Sequence, residues 1–230
     1  MRQIFIGIDD TDNLESRGTG HLARLIADHL RKRFYVSGVT RHQLLFDPRV
    51  PYTAKNSCAA IHLKTDADVD LDVLEADIAR LMLGKFNPGS DPGLCITQEV
   101  PEKITAFGRK AQTDLVSQAE ARSLASENNI RLQGLGGTED GVIGALAAVG
   151  LASSGEDGRY VQVGSIRELM GLQSVDTVLS CGVSAVRTMD GKDVLQGQIQ
   201  TEKMRPARRE SAPILFVEPI EDYWQPLKLD

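Results

Sequence analysis

The chain has 230 residues, of which 41% are hydrophobic and 25% charged, enough for one large domain or two small ones with a core of ordinary size and no need of disulfide or metal staples. Its 26 Lys and Arg against 32 Asp and Glu leave a formal net charge of −6, which argues against a mainly electrostatic nucleic-acid binder and leaves room for a local basic patch. Cys58, Cys95 and Cys181 stand far apart without a CxxC, which excludes a zinc ribbon, argues against a secreted disulfide framework and leaves them as small apolar core residues.

Ile4 to Ile8 is a short apolar run that predicts a buried strand. A helix follows from about Gly20, with Leu22, Leu25, Ile26 and Leu30 on one face, and His29 sharing that face, either at its edge or packed into it. Val36 to Phe46 predicts a second strand with a glycine that weakens or bulges it, and Cys58 to Leu63 a third. Asp70 to Phe86 is helical with Val73, Leu74, Ile78, Leu81 and Met82 on one stripe, Asn87-Pro88-Gly89 ends it, and Gly93 to Thr97 is a fourth strand. That order is the βαββαβ, ferredoxin-like pattern of an α+β protein, which identifies a scaffold and not a function.

Beyond it, Glu102 to Asn128 predicts one long helix kinked near Gly108, and the loop Gly134 to Gly137 leads into a helix near Gly141 to Leu151. Ser153 to Gly158 reads as a linker or exposed turn. Strands are expected around Tyr160 to Val163, Val175 to Val183, Val194 to Gln200 and Pro213 to Glu218. The expected division is an acidic-motif α+β region over 1–152 and a small mixed β/α part over 153–230.

The sharpest local feature is Gly7-Ile8-Asp9-Asp10-Thr11-Asp12, three carboxylates directly after an apolar strand. Side chains at a strand end leave the core and face a crevice, and crowded carboxylates there repel one another unless a cation joins them. Mg²⁺ keeps waters and substrate phosphates, so Asp9, Asp10 and Asp12 suffice as its protein ligands. A solvated Asp-rich turn is the alternative. Gly18, Thr19 and Gly20 open the next helix, where free N–H groups suit a phosphate; plain capping by Thr19 is the alternative there.

Gly136 to Gly150 is rich in small residues, which let a helix pack closely and let backbone approach a ligand through Gly137 and Gly141. It is neither a Walker A motif nor a dinucleotide fingerprint, and a tightly packed helix with an ordinary cap explains it equally. Glu139 and Asp140 either add to the metal site or are ordinary first-turn acids. His21, His29, His42 and His62 have no metal-site spacing. Lys203, Arg205, Arg208 and Arg209 read as an exposed loop of mixed charge, with phosphate or RNA contact as the other option. Tyr223 and Trp224 are expected to anchor the C-terminus by packing.

Three stretches in order, Gly7 to Asp12, Pro51 to Asn56 and Gly141 to Gly150, together resemble the isoleucine-tRNA agmatidine synthetase family over about the first two-thirds of the chain. Asn87-Pro88-Gly89 falls where that family has a similar turn. The resemblance implies an ATP- and Mg²⁺-dependent enzyme whose kinase-like domain phosphorylates the C2 oxygen of a cytidine, which agmatine then displaces. It implies Asp9, Asp10 and Asp12 as Mg²⁺ ligands, Thr19 as the match of a phosphorylated threonine, and Lys55 with Asn56 beside the nucleotide, where Lys55 is otherwise a solvated loop lysine.

The chain departs from the family pattern in two places: Arg17 to His21 replaces a Cys-Thr-Thr run, and Glu139 and Asp140 stand where basic residues are usual. The family's tRNA-gripping OB-type and zinc-ribbon domains have no counterpart, so the expectation is a stand-alone relative acting on a nucleotide-like or small-molecule acceptor, with tRNA still a candidate partner. Two rival readings are a phosphatase-like hydrolase with Asp10 as nucleophile and a non-catalytic nucleotide-binding regulator. The absence of a leader or a ~20-residue apolar run predicts a cytoplasmic protein without a membrane partner.

Overall fold

Along strand β1 (Arg2–Asp9) Ile4, Ile6 and Ile8 alternate with Phe5 and Gly7, and both faces are covered. The computed structural model describes residues 2–11, 18–50 and 56–229. The isoleucine face packs under helices α1 (Thr19–Leu30) and α2 (Leu71–Leu83) through Leu22, Ile26, Leu30, Leu74 and Ile78. Val73 and Leu25, placed on the apolar stripes by periodicity, are exposed instead. His29 sits at the helix edge as expected and meets Asp77 at 2.9 Å.

β1 is antiparallel to both of its neighbours, β3 (Ser57–Thr65) and β4 (Gly93–Thr97). β3 pairs antiparallel with β2 (Tyr35–Gln43), whose register shifts between Val36 and Gly38, where the glycine was expected to bulge the strand. Helix α1 connects β1 to β2 and α2 connects β3 to β4. A side chain at Gly38 would lie 2.8 Å from the Tyr160 ring, so the position is closed to anything larger.

The opposite face carries the all-apolar α5 (Gly141–Ser154), buried on nearly every side, as a helix without a polar face must be. Gly7 makes this possible: a Cβ there would lie 2.0 Å from the Ala145 carbonyl oxygen, so strand and helix meet backbone to backbone.

The long helix expected over Glu102 to Asn128 is two helices, α3 (Glu102–Thr113) and α4 (Gln118–Glu127). Ser117 breaks the run by capping α4, its Oγ accepting from Glu120 N at 3.2 Å. Gly108 lies against Leu151 and the Ala147 carbonyl, letting α3 approach α5. A short strand that periodicity did not reveal, β5 (Arg131–Gly134), pairs with β4 at the sheet edge.

Helix α5 runs on through Ser154 and stops at Gly155 (φ 77°), so the first residues of the expected 153–158 turn are helical. Next come β6 (Arg159–Gln162), which pairs with β2, and β7 (Leu172–Ser174). Residues 175–180, expected as strand, form helix α6 (Val175–Ser180), because Ser174 caps it through Thr177 N at 3.1 Å. The chain ends with β8 (Ala185–Arg187), β9 (Gln198–Gln200), β10 (Ala207–Arg209), β11 (Ala212–Ile220) and β12 (Tyr223–Pro226).

Among the described residues the result is a mixed α+β fold whose twelve-stranded, mostly antiparallel sheet follows the order β5-β4-β1-β3-β2-β6-β10-β11-β12-β9-β7, with β8 parallel to β11. A third apolar cluster, including Ile166, Val178, Ile199, Leu215 and Val217, fills the C-terminal part. Trp224 packs against it, as expected, and its indole donates to the Gln196 carbonyl at 3.2 Å. The basic stretch near 203–209 is not an exposed loop throughout: Arg208 is buried in β10.

Candidate active site

Where β1 ends, Asp9 and Asp10 line a cavity of about 420 Å³, within the range of small-molecule sites. Asp10 leaves the strand in the left-handed conformation (φ 49°), which aspartate tolerates better than most residues and which turns the chain off the sheet. Asn87, in the turn singled out by sequence, holds this exit from behind, its Nδ2 donating to the Thr11 carbonyl at 2.8 Å. Asp9 itself lies against α5, where Gly144 leaves the space: a Cβ on Gly144 would fall 1.7 Å from Asp9 Oδ2.

Asp140, Gly141, Ile143 and Gly144, from the start of α5, also line the cavity, with Gly144 beside Asp9. Leu44 and Asn56 come from the ends of β2 and β3, and Val116 and Gln118 from the start of α4. Asn56 braces this wall by donating from Nδ2 to the Leu45 carbonyl at 2.8 Å. Gln118 Nε2 ties α4 to α5 through Thr138 O and Asp140 Oδ1, both at 2.7 Å. The lining therefore combines four acids, Asp9, Asp10, Asp114 and Asp140, with apolar side chains that include Leu44, Val116 and Ile143. The α4 contribution was invisible in the sequence, because reading one long helix hid the break that creates this wall.

The other proposed residues are placed differently. Gly18 caps α1 without a side-chain bond, Thr19 is its buried first residue and not its cap, and neither these nor Gly20 line the cavity. Gly137 has φ 62° and abuts the Asp91 carboxylate, which accepts from Thr138 N at 2.6 Å; it shapes the loop and does not reach the cavity. Asp12 and Lys55 lie outside the described residues. Of the two acids at the departure from the family pattern, Asp140 faces the cavity, whereas Glu139 is paired with Arg122 at 2.5 Å.

Among the described residues Arg49 is the one cation lining the cavity, and its Nε and Nη2 already hold Asp47 at 2.8 Å. Those hydrogen bonds bring the Asp47 carboxyl down to about 2. No cluster of three His, Cys, Asp or Glu that could hold a metal occurs among the described residues. Asp9 and Asp10 fit Mg²⁺ only in its water- and phosphate-rich mode, with at most two or three carboxylates. The Thr11 hydroxyl next to them is buried without a partner, a polar atom that the protein alone does not satisfy.

Sequence spacing also missed a polar line between β2 and β3. Thr40 Oγ1 lies 2.8 Å from both His42 Nε2 and His62 Nε2, and His42 Nδ1 lies 2.7 Å from Asp157. Gln112 of α3 donates to the same carboxylate at 2.9 Å. Burial pushes the His62 pKa well below its ordinary value, aided by the charge of Arg208, so His62 is neutral. Burial works most strongly, raising the Asp157 pKa, but the hydrogen bond and charge of His42, the Gln112 hydrogen bond and the charge of Arg209 together outweigh it, and the carboxyl stays below its usual value. The line joins the turn after α5 to β2 and α3.

No protein-family model matches the chain. An alignment of 160 positions that covers 64% of the chain is 33% identical to TiaS, the isoleucine-tRNA 2-agmatinylcytidine synthetase of Methanosarcina acetivorans, and covers 35% of that protein. The chain is a relative of the agmatidine synthetases. The TiaS of Thermococcus sibiricus is 29% identical over 158 residues, 65% of the chain and 35% of the synthetase. An uncharacterized protein of Methanocaldococcus jannaschii is 29% identical over 154 residues, 66% of the chain and 51% of its own length.

Among solved structures, a complex of TiaS with its isoleucine tRNA and ATP superposes over 65% of the chain with a TM-score of 0.57 at 25% identity, covering 36% of that chain. A tRNA fluorescent labeling enzyme gives 0.56 at 26% identity over 64% of the chain and 36% of its own. The match falls on the N-terminal part of the longer synthetases. The chain spans about a third of their length and about half of the Methanocaldococcus protein.

Proposed function

We propose that the protein is an ATP-using enzyme of the agmatidine-synthetase type that binds Mg²⁺·ATP at the β1 end and activates a nucleotide-like or small-molecule acceptor. The observation that carries this reading is the coincidence of two facts. The acidic strand end opens into a small-molecule cavity, and the part of the chain that contains it superposes on a synthetase crystallised with ATP and an isoleucine tRNA. tRNA is accordingly one acceptor to test.

In this reading Asp9 and Asp10, with Asp12, hold the metal, which neutralises phosphate charge when bound. The apolar side chains of Leu44, Val116 and Ile143 accept the base, Asn56 and Gly141 position the nucleotide, and the closely packed α5 keeps Asp9 in place. Gly18, Thr19, Gly20 and Gly137 are proposed to approach the phosphates from outside the described cavity, and Lys55 is proposed to touch them. The strand order β4-β1-β3-β2, with α1 and α2 as crossovers, is read as a ferredoxin-like unit within a region 1–152, and 153–230 as a small second part. β1 is antiparallel to both neighbours, unlike the mostly parallel sheets of doubly wound enzymes, which speaks against the Asp10 phosphatase alternative.

The test is ADP or AMP release from Mg²⁺·ATP, with and without tRNA transcripts and small amines, by wild type and Asp10→Asn. Acceptor-stimulated turnover lost in Asp10→Asn is expected. Phosphomonoester hydrolysis without ATP would contradict the reading, and ATP binding without turnover on any acceptor would leave a nucleotide-binding regulator.

A further inference from the structure

At the other end of β1 lies a larger cavity, about 740 Å³, that the nucleotide reading does not use. Its walls come from Gln3 of β1, Lys64 of β3, Tyr35 of β2 and, from the C-terminal part, Tyr160 and Arg208. Gln3 and Asp9 are six residues apart on one extended strand, so the two cavities stand roughly 20 Å from each other.

The cavity is basic in an acidic protein. Arg31, Lys64 and Arg208 line it and no Asp or Glu does. Arg31 is already paired with Asp28. Lys64 and Arg208 form no ion pair with any described residue, and Arg208 is 4% exposed. A buried guanidinium usually has a carboxylate or a phosphate as counter-charge. Here its three hydrogen bonds all go to neutral oxygens: Nε to Ala152 O at 2.8 Å, Nη1 to Tyr160 OH at 2.8 Å and to Ser211 O at 2.9 Å.

Nη2 has no acceptor among the described residues, and Arg208 lines the cavity. The Tyr160 hydroxyl accepts from Arg208, which leaves its own O–H free to donate. Tyr35, 62% exposed at the rim, presents an aromatic face.

We infer that this cavity is a second ligand site that binds a phosphate group, with Arg208 and Lys64 as the counter-charges and Tyr160 as an added donor. Two uncompensated cations match the charge of a phosphate monoester, and guanidinium with a phenol O–H supplies directed donors to its oxygens. Tyr35 is placed to stack on an attached base. The phosphate comes either from a free nucleotide or from an RNA backbone, and the experiment separates the two.

The full-length protein is titrated calorimetrically with inorganic phosphate, a nucleoside 5′-monophosphate and a short single-stranded RNA, all in EDTA so that no Mg²⁺-dependent binding at Asp9 contributes. Wild type, Lys64→Glu, Arg208→Gln and Asp9→Ala are compared, with thermal melts to show that each is folded. Lys64 is an exposed strand residue, so Lys64→Glu remains informative if Arg208→Gln fails to fold.

Binding by wild type, weakened about tenfold or more in Lys64→Glu and unchanged in Asp9→Ala, is the expected result. A mononucleotide that binds as tightly as RNA identifies the free ligand. RNA that binds far more tightly, with steep salt dependence, identifies the backbone. No binding of any probe, or an affinity that Lys64→Glu leaves unchanged, overturns the inference.

Discussion

Substituting Gly144→Ala tests whether the packing of α5 is what places Asp9. The new methyl would lie 1.7 Å from Asp9 Oδ2, 2.4 Å from its Cγ and 2.8 Å from its Cβ, so rotating the carboxylate alone does not relieve the overlap. Overpacking of this kind costs about 1–3 kcal/mol, and replacing a mid-helix glycine by alanine returns about 1 kcal/mol. The net loss of stability is therefore roughly 0–2 kcal/mol, and the protein stays folded.

The ligand site should suffer more, because the Asp9 side chain must leave its present position. Mg²⁺·ATP affinity is expected to fall by about tenfold or more, the scale of one lost charge-assisted contact. Gly20→Ala is the control: nothing lies within 4 Å of its Cβ, so it should gain about 0.5–1 kcal/mol from helix propensity. Thermal or urea melts measure stability and calorimetry measures affinity on the same samples. Undiminished Mg²⁺·ATP affinity in Gly144→Ala would refute the argument that this contact positions the acid.

Gly7→Ala should be far more damaging, by about 3 kcal/mol or more, because its Cβ meets the backbone oxygen of Ala145 and no side chain can yield; equilibrium unfolding checks this. Stability should fall as pH drops below about 6.5. The unfolded chain then takes up a proton at His62 that the folded state, with its depressed pKa, refuses, at a slope of up to about 1.4 kcal/mol per pH unit. His62→Gln should flatten that slope between pH 7 and 5, and an unchanged slope would assign it elsewhere. Asp157, whose folded pKa is also lowered, adds a further loss only below its unfolded value near 4, where its carboxylate is protonated.

The apolar alternation of Ile4, Ile6 and Ile8, the helical periods of α1 and α2, and the Asn87-Pro88-Gly89 stop all lie within a dozen residues of the structure they specify. They were therefore legible in the sequence, and so was the acidic exit of β1. What failed was either a competition between neighbours or a long-range contact. Ser174 caps a helix through residues whose β-branched composition favours strand, and Ser117 splits a helix that composition alone would continue. The line from His62 through Thr40 and His42 to Asp157 joins residues up to 115 positions apart, and Arg208 meets Ala152 across 56. Spacing rules do not reach over such separations. The α4 wall of the cavity depended on the missed break at Ser117, which is why Asp9 and Asp10 were readable as site residues and Val116 and Gln118 were not.

The most direct measurement is calorimetric titration of ATP, with and without Mg²⁺, into wild type and Asp9→Ala. Binding that requires Mg²⁺ and disappears in Asp9→Ala is what a nucleotide site at the β1 end predicts. Absence of binding in wild type, or binding that Asp9→Ala leaves intact, would contradict it.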